Sequence, residues 1–247
     1  MERHDGKRVV ITGGTSGIGL ATAKLLISQG ARVLITGRTE ATLETAREQL
    51  GNNAIAVESD AASLADIDRL ADRVKSEFGT IDLLYVNAGI TRFMPFEAMT
   101  EAVYDEVLTV NAKGPYFTVQ KLAPLIAEGG AVVVTTSVVN EMGYPMISAY
   151  SASKAALRSM VRSLARELLP RGIRVNAVSP GPIETGILDK TLPSDVAAQT
   201  KQAMTENNPM KRFGRPEEIA KTVAFLAFDA TFTTGAELAV DGGGSQL

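Results

Sequence analysis

The sequence predicts an α/β fold with a doubly wound parallel sheet of about seven strands and helices on both faces. Three observations predict it. Short β-branched runs alternate along the chain with longer amphipathic stretches, which is typical of repeated strand and helix units. The runs are apolar at successive positions, as in strands that are buried on both faces of a parallel sheet. A glycine separates several of the amphipathic stretches from the run that follows.

The predicted elements follow one another in this order. The predicted strands are residues 8–12, 32–36, 54–58, 82–86, 131–136, 174–178 and 238–241. The glycines expected to end the intervening helices in a left-handed conformation are Gly30, Gly51, Gly79 and Gly172. Parallel strands require crossover connections, and these connections place helices on both faces of the sheet.

No Pro/Ser-rich linker or low-complexity tract divides the chain. Residues 1–247 are therefore predicted to form one domain, which is an ordinary size for a single α/β domain. Residues 181–209 interrupt the alternation with proline, glycine and polar residues around a short predicted helix at 197–204. A long connection beside a sheet is either a disordered loop or a lid. A substrate lid near 183–209 is favoured, because lids commonly close water out of a site.

The composition excludes several function classes. A net charge of −3 provides no basic surface, so neither a nucleic-acid partner nor a membrane partner is expected. The chain has no cysteine and one histidine, His4, which leaves almost no material for disulfides, a Ser-His-Asp hydrolase or a metal site. Residues 1–7 are charged, and no apolar stretch approaches the roughly 20 residues that cross a bilayer. A cytoplasmic location is expected.

The first predicted strand runs directly into the glycine-rich sequence TGGTSGIG at residues 12–19, and a predicted helix follows at 20–28. Gly13 permits the tight turn, Gly17 lets backbone N–H groups approach a pyrophosphate, and Gly19 lets the helix pack close to the sheet. A purely structural turn would also explain a bare glycine triplet, but the flanking strand and helix favour a Rossmann-type dinucleotide site. The residues expected at this part of the cofactor are Gly13, Thr15, Ser16, Gly17, Ile18 and Gly19.

The end of the second predicted strand indicates which cofactor binds. An NAD site usually has a carboxylate here for the ribose 2′-hydroxyl, but this chain has Gly37 followed by Arg38. An arginine can bind a 2′-phosphate through two charge-assisted hydrogen bonds. NADPH is therefore expected in preference to NAD(H). The alternative is that Arg38 is a solvated loop charge.

Three residues further along the chain suggest acid–base chemistry. Ser137 follows a predicted strand, and Tyr150 and Lys154 are spaced i and i+4 on a helix predicted to reach Leu169. The Lys154 ammonium is expected to lower the pKa of the Tyr150 hydroxyl, and Ser137 would bind the same substrate oxygen. Such a Tyr-Lys pair alone more often means a packed ring and a snorkelling lysine. The serine and the upstream glycine turn favour catalysis.

In this order, the motifs strongly resemble those of the short-chain dehydrogenase/reductase family over essentially the whole chain. The family's glycine motif appears at residues 12–19, its Asn-Ala-Gly at 87–89, and its serine, tyrosine and lysine at Ser137, Tyr150 and Lys154. The resemblance implies an NADPH-dependent carbonyl reductase or alcohol dehydrogenase. Hydride would pass between the nicotinamide and a ketone or alcohol carbon, with Tyr150 as general acid or base.

The resemblance also implies further site residues. Asn111 would be the fourth catalytic residue and would hold a water that connects the lysine to solvent. From the residues alone, Asn111 is better explained as a polar residue that interrupts a helix and is satisfied by backbone. The further residues implied at the cofactor are Asp60, Ala61, Asn87, Ala88, Gly89, Val110, Tyr150, Lys154, Pro180, Gly181, Ile183 and Thr185. The family's usual double asparagine is Val86-Asn87 here, which removes no catalytic group.

Two alternatives and one open question remain at this stage. The chain could be an NAD-linked alcohol or sugar dehydrogenase, or a cofactor-binding regulatory protein without turnover.

The C-terminal residues 234–243 resemble the last strand of tetrameric family members, which implies a homotetramer. The predicted pocket segments 91–96, 138–146 and 185–204 identify no substrate beyond a small carbonyl or alcohol. Lys190 and Lys201 could bind an anion in a closed lid, but solvated side chains are favoured.

Overall fold

The computed structural model describes residues 3–247, so the first two residues of the charged segment 1–7 lie outside the described part. The described chain forms seven β-strands: β1 Arg8–Ile11, β2 Arg32–Gly37, β3 Ala54–Glu58, β4 Ile81–Val86, β5 Ile126–Thr135, β6 Arg174–Pro180 and β7 Glu237–Val240. It also forms nine α-helices: α1 Gly17–Ile27, α2 Glu40–Leu50, α3 Leu64–Phe78, α4 Glu101–Leu108, α5 Gly114–Leu122, α6 Ser148–Leu168, α7 Ile187–Thr191, α8 Ser194–Asn207 and α9 Pro216–Ala224.

The strands form one parallel sheet in the order β3-β2-β1-β4-β5-β6-β7. This confirms the predicted fold class. The strand order reverses between β1 and β4, where the chain changes the direction in which it adds strands. In open sheets of this kind ligands bind outside the carboxyl ends of the strands at the reversal point. The glycine turn after β1 and the residues after β4 meet at that point.

Side chains of each strand alternate between two apolar layers. In β1, Val9 and Ile11 pack with the layer that contains α1, α2 and α9, whereas Val10 packs with the layer that contains α3, α5 and α6. All three side chains are fully buried. Because successive residues of a strand point to opposite faces, a strand covered by helices on both sides must be apolar throughout. This requirement explains the continuous apolar runs in the sequence.

Several element boundaries differ from the predicted ones. β5 begins at Ile126, five residues before the predicted start, and Ile126 pairs with Ile81 ahead of a register irregularity. Exposed Glu128 and the adjacent glycines hide this part of the strand from the hydrophobic pattern. The four glycines predicted to end helices all have positive φ. Gly172 has the predicted left-handed conformation, whereas Gly51 and Gly79, with ψ of −162° and −62°, lie outside it.

The segment predicted as a lid is more helical than its sequence suggests. It contains α7 and α8, in place of one short helix at 197–204. In α8, Ala197 is the buried residue, so the helix lacks the broad apolar stripe by which a helix is recognised in sequence. In the described part of the chain, no helix is long and apolar enough to cross a membrane. His4 is buried, with its ring centroid 4.4 Å from that of Phe228.

Candidate active site

The glycine-rich turn is packed so tightly that its glycines have no room for a side chain. A Cβ on Gly19 would lie 2.2 Å from the Gly13 carbonyl oxygen, and a Cβ on Gly13 would lie 2.9 Å from the Ala88 Cα. Gly13 and Gly17 also have positive φ. Within residues 3–247, the Ser16 side chain caps no N–H of α1. The N-terminus of α1 therefore remains open toward an anion, as a pyrophosphate site requires.

The turn is tied to the end of β4 by Thr12 and Asn87. The Thr12 hydroxyl accepts hydrogen bonds from the backbone N–H groups of Asn87 (3.0 Å) and Ala88 (3.1 Å). In return, the Asn87 Nδ2 donates to the carbonyl oxygens of Thr12 (3.3 Å) and Gly13 (3.1 Å). Val86, which takes the place of the family's first asparagine, packs in the apolar layer that contains α3, α5 and α6. The departure from the family's double asparagine therefore leaves these bonds in place.

The end of β2 excludes a side chain at the position where NAD sites carry a carboxylate. A Cβ on Gly37 would lie 2.5 Å from the Thr15 Cγ2. Arg38 is exposed beside it and forms no ion pair with the described residues 3–247. Its guanidinium is therefore free to bind a ligand.

The end of β3 lies close to the helices that carry Asn111. The Asp60 carboxylate accepts from the Ala62 N–H (2.9 Å). A Cβ on Gly114 would lie 2.0 Å from the Ala61 carbonyl oxygen, so glycine is required where α5 approaches this turn. Just before α5 lies the π-helical turn Thr109–Lys113, in which Val110 and Asn111 are buried.

The structure brings Ser137, Tyr150 and Lys154 together. Ser137 is buried shortly after the end of β5, and the other two residues lie on α6. The hydroxyls of Ser137 and Thr91 lie close enough to the Tyr150 hydroxyl to lower its pKa. The Lys154 Nζ lies 5.7 Å from the centre of the Tyr150 ring and donates to the Thr135 carbonyl oxygen at 2.8 Å.

The pKa of Tyr150 is shifted in the direction opposite to the predicted one. Desolvation raises the pKa of the Tyr150 hydroxyl, and this effect exceeds the lowering by Ser137 and Thr91. Burial also lowers the pKa of Lys154 from 10.5 to about 8, so the ammonium loses its proton more readily than that of an ordinary lysine. The ammonium is bonded to a backbone carbonyl and does not contact the Tyr150 hydroxyl. Tyr150 is therefore protonated at neutral pH and can act as a donor.

Asn111 is fully buried and has three hydrogen-bond partners. Its Oδ1 accepts from the Ile90 N–H (2.8 Å), and its Nδ2 donates to the Ile90 carbonyl oxygen (2.9 Å) and to Ser153 Oγ (3.1 Å). The backbone thus satisfies Asn111, as the alternative interpretation expects. Asn111 and Lys154 nevertheless lie near each other, since both side chains border Gly89. A Cβ on Gly89 would lie 3.2 Å from Asn111 Oδ1 and 3.6 Å from Lys154 Nζ. Its contact with a water stays a prediction.

The segment after β6 covers the glycine turn. Pro180 ends β6, and the Gly181 N–H donates to the Val240 carbonyl oxygen (3.1 Å). Ile183 forms a β-bridge with Gly214. The Thr185 side chain comes within 3.2 Å of the position that a Cβ on Gly17 would occupy. The residues predicted to meet the nicotinamide are thereby brought against the glycine turn.

The predicted lid borders a cleft of about 300 Å³. Residues of α7 and α8 line it together with Ile183, Thr185 and Phe213. Lys190 is exposed, as expected, but Lys201 is not simply solvated: its Nζ pairs with both Asp189 carboxylate oxygens at 2.8 and 2.6 Å. This ion pair joins the two lid helices.

The two other predicted pocket segments meet beside Tyr150. The Met94 N–H donates to the Met146 carbonyl oxygen at 2.8 Å, and Met146 has an uncommon positive φ of 66°. Thr91 belongs to the first segment, but its contact with the Tyr150 hydroxyl is absent from the sequence prediction. Its place just after Asn-Ala-Gly, at the end of a strand, is the one sequence signal for it. Across residues 3–247, no group of three or more acidic, histidine or cysteine side chains is arranged to hold a metal ion.

Comparisons with known proteins show which proteins this chain is similar to. A family model described as enoyl-(acyl carrier protein) reductase matches residues 13–245. The chain is 42% identical to oxidoreductase asL5 of Sarocladium schorii, covering 100% of this chain and 99% of the relative. It is 41% identical to an L-rhamnose 1-dehydrogenase (NAD(P)(+)) of Azotobacter vinelandii, covering 96% of each. It is 36% identical to a 3-oxoacyl-[acyl-carrier-protein] reductase of Thermotoga maritima, covering 98% of each.

A solved structure is also similar over its full length. The short-chain dehydrogenase/reductase of Brucella melitensis, described as a glucose/ribitol dehydrogenase, superposes with a TM-score of 0.91 at 32% identity, covering 98% of both chains. Sequence relatives and structural neighbours thus agree on the class of protein. The chain belongs to the short-chain dehydrogenase/reductase family of oxidoreductases.

Proposed function

We propose that the chain is an NADPH-dependent carbonyl reductase or, in reverse, an alcohol dehydrogenase, with Tyr150 as general acid or base. The observation that carries the proposal is the proximity of the Tyr150 and Ser137 hydroxyls beside the buried Lys154. Two hydroxyls that converge on one point can bind a single carbonyl oxygen between them. The residues proposed as catalytic are Asn111, Ser137, Tyr150 and Lys154.

The residues around the β1–β4 reversal fit a dinucleotide. The glycine turn leaves backbone N–H groups open for a pyrophosphate, and Gly89 leaves space over Asn111 and Lys154 where a side chain would otherwise lie. Lys154 would bind the ribose hydroxyls, and Ile183 and Thr185 would orient the nicotinamide. When bound, NADPH supplies the hydride.

The proton would come from Tyr150. Because its pKa is raised, the hydroxyl is protonated at neutral pH and suits donation to an alkoxide that forms during reduction. Oxidation of an alcohol requires the phenolate instead, so we expect the oxidation rate to rise with pH. Ser137 would hold the substrate oxygen beside Tyr150 during either reaction.

The preference for NADPH is supported by Gly37 and Arg38. No carboxylate fits at position 37 in this packing, and the free Arg38 guanidinium can pair with a 2′-phosphate. The rival proposal is an NAD-linked sugar dehydrogenase, because one relative is named as a rhamnose dehydrogenase that uses NAD(P)(+). Initial rates with each cofactor separate the two. We expect Arg38→Ala to raise the KM for NADPH and to leave that for NADH unchanged; equal KM values for NADPH in parent and variant would refute the assignment.

The catalytic assignment is tested by screening ketones and aldehydes with NADPH and then comparing Tyr150→Phe with the parent. We expect the variant to keep its affinity for NADPH and to lose turnover. Tyr116→Phe, which removes an exposed hydroxyl from α5, is the matched control and should retain the parent rate. A Tyr150→Phe enzyme at the parent rate would overturn the assignment. A parent that turned over none of the screened ketones and aldehydes would instead favour a cofactor-binding regulatory protein.

We also propose a homotetramer in the cytoplasm. Large apolar side chains are exposed around the edge strand β7, among them Phe225, Phe232 and Leu238. A second copy of the chain would remove this surface from water. Light scattering of the purified protein measures the mass, and a monomer at micromolar concentration would refute the assembly.

A further inference from the structure

Glu237, at the start of β7, is a carboxylate buried away from the catalytic hydroxyls. Its side chain is 9% exposed. It accepts two hydrogen bonds from the Asn140 Nδ2 (2.9 and 3.1 Å), contacts the Thr136 hydroxyl, and lies 3.4 Å from the Arg158 Nε. A buried ion pair is a weak source of stability, because desolvation offsets most of its attraction. The arrangement therefore suggests a role in geometry.

Two of these partners lie on either side of Ser137. Thr136 precedes Ser137, and its hydroxyl also lies 3.0 Å from the Val178 carbonyl oxygen. Asn140 follows, and its backbone N–H donates to the Ser137 carbonyl oxygen at 3.0 Å. One carboxylate thus holds both ends of the short turn that presents the Ser137 hydroxyl.

The third partner lies on the helix that carries the other catalytic residues. Tyr150, Lys154 and Arg158 are spaced by four residues, so they follow one face of α6. The Arg158 side chain is 16% exposed, and its Nη1 donates to the Gly235 carbonyl oxygen at 2.9 Å, just before β7. Arg158 therefore anchors α6 to the same strand that holds the Ser137 turn.

We propose that Glu237 and Arg158 are positioning residues that set the separation of the Ser137 and Tyr150 hydroxyls. The proposal rests on the proposed function, because the separation matters only if both hydroxyls bind one substrate oxygen. Neither residue is assigned a contact with substrate or cofactor. The effect of Glu237 on the reaction passes through the Ser137 turn and that of Arg158 through α6, and this makes both separable from a general effect on stability.

The first test compares Glu237→Ala with Glu237→Gln and Arg158→Met. We expect Glu237→Ala to lower kcat by about 100-fold, the cost of misplacing a reacting group by about 1 Å, while the Kd for NADPH stays at the parent value. Glu237→Gln should recover most of the loss, because its amide oxygen still accepts from Thr136 and Asn140. Glu167→Gln and Arg162→Met change exposed residues of α6 in the same way and serve as controls.

A double-mutant cycle distinguishes positioning from simple destabilisation. In a Ser137→Ala background there is no Ser137 hydroxyl to position, so adding Glu237→Ala should cost little further activity. A fully multiplicative loss of kcat in the double variant would overturn the proposal. A Glu237→Gln enzyme as impaired as Glu237→Ala would also do so.

A third measurement does not depend on turnover. Amide hydrogen exchange should become faster in residues 136–142 of Glu237→Ala and Arg158→Met and stay near the parent rate in Glu237→Gln, with the glycine turn at residues 12–19 unchanged. If Glu237→Ala does not fold, Arg158→Met carries the test. Unchanged exchange in the 136–142 peptide of Glu237→Ala and Arg158→Met refutes the positioning role even when no ketone is reduced, whereas an inactive parent with faster exchange in these variants refutes the proposed function alone.

Discussion

The glycine-rich turn, residues 12–19, and the lid, residues 183–209, contact each other through Gly17 and Thr185 but are built differently. In the turn, backbone atoms lie so close together that a single added methyl group collides with its neighbours. In the lid, Gly186 has open space around the position of a Cβ, and the helices expose most of their residues. The glycine turn is thus defined by backbone packing, whereas the predicted lid is defined by exposed side chains.

The largest expected effect comes from placing the same substitution in both regions. Gly19→Ala puts a Cβ 2.2 Å from a carbonyl oxygen, and we expect it to lower the free energy of unfolding by about 3 kcal/mol or more and to abolish NADPH binding. Gly186→Ala, at a φ of 72°, should cost only about 1 kcal/mol and leave NADPH binding intact. Denaturant unfolding and nucleotide titration measure both. Equal losses in the two variants would break the comparison.

The next effect contrasts a buried lysine on α6 with an exposed one in the predicted lid. The folded-state pKa of Lys154 is about 8, below its ordinary 10.5, so folding carries a penalty wherever the side chain is protonated in both states. The penalty is complete below pH 8 and disappears as the pH rises toward 10.5. The shift corresponds to about 3 kcal/mol. Lys154→Met should therefore be inactive but gain stability relative to the parent at pH 7.

The measurement is the difference in unfolding free energy between Lys154→Met and the parent at several pH values from 7 to 10. The lost hydrogen bond to Thr135 adds an offset that does not vary with pH, so the slope carries the test. We expect the advantage of the variant to shrink steadily above pH 8. Parallel stability curves would contradict the lowered pKa of Lys154. Lys201→Met, which replaces a partly exposed lysine in the same way, is the control for the substitution itself.

A smaller effect concerns the point where the lid joins the sheet. Asn208, at the end of α8, is buried, and it donates to the Asp241 carbonyl oxygen (2.7 Å) and accepts from the Met210 N–H (2.9 Å). Asn208→Ala leaves the Asp241 carbonyl and the Met210 N–H without this partner and should lower the free energy of unfolding by about 2 kcal/mol. The neighbouring Asn207 is exposed, so Asn207→Ala should leave the free energy of unfolding almost unchanged. Chemical denaturation of the two variants measures both effects. Equal losses would mean that Asn208 does not fix the end of the predicted lid to the sheet.

The smallest effect is expected at the ion pair between the lid helices. Lys201 and Asp189 are both substantially exposed, and such pairs contribute about 0.5 kcal/mol or less. A double-mutant cycle of Lys201→Met and Asp189→Asn should give a coupling energy of this size that decreases with salt. A coupling as large as that of a buried pair would mean that the lid is held as firmly as the glycine turn.

Much of the fold could be predicted because its signals are local. Strand β1 and helix α1 are recognisable from apolar periodicity, and the glycines between them from the conformations they permit. The start of β5 could not be predicted, because its pairing with Ile81 is set by a strand distant in sequence. Helix α8 was predicted too short, since its exposed surface leaves little hydrophobic periodicity.

The sequence by itself determined the parallel sheet, the glycine turn and the residue types at the candidate site, because these depend on neighbours in the chain. Only the tertiary structure decided the raised pKa of Tyr150, the lowered pKa of Lys154 and the place of Thr91 beside the Tyr150 hydroxyl. It also decided the partners of Glu237, which lies 101 residues from Thr136 in the chain. Desolvation and hydrogen bonding depend on atoms that folding brings together from distant segments, and no local pattern encodes them.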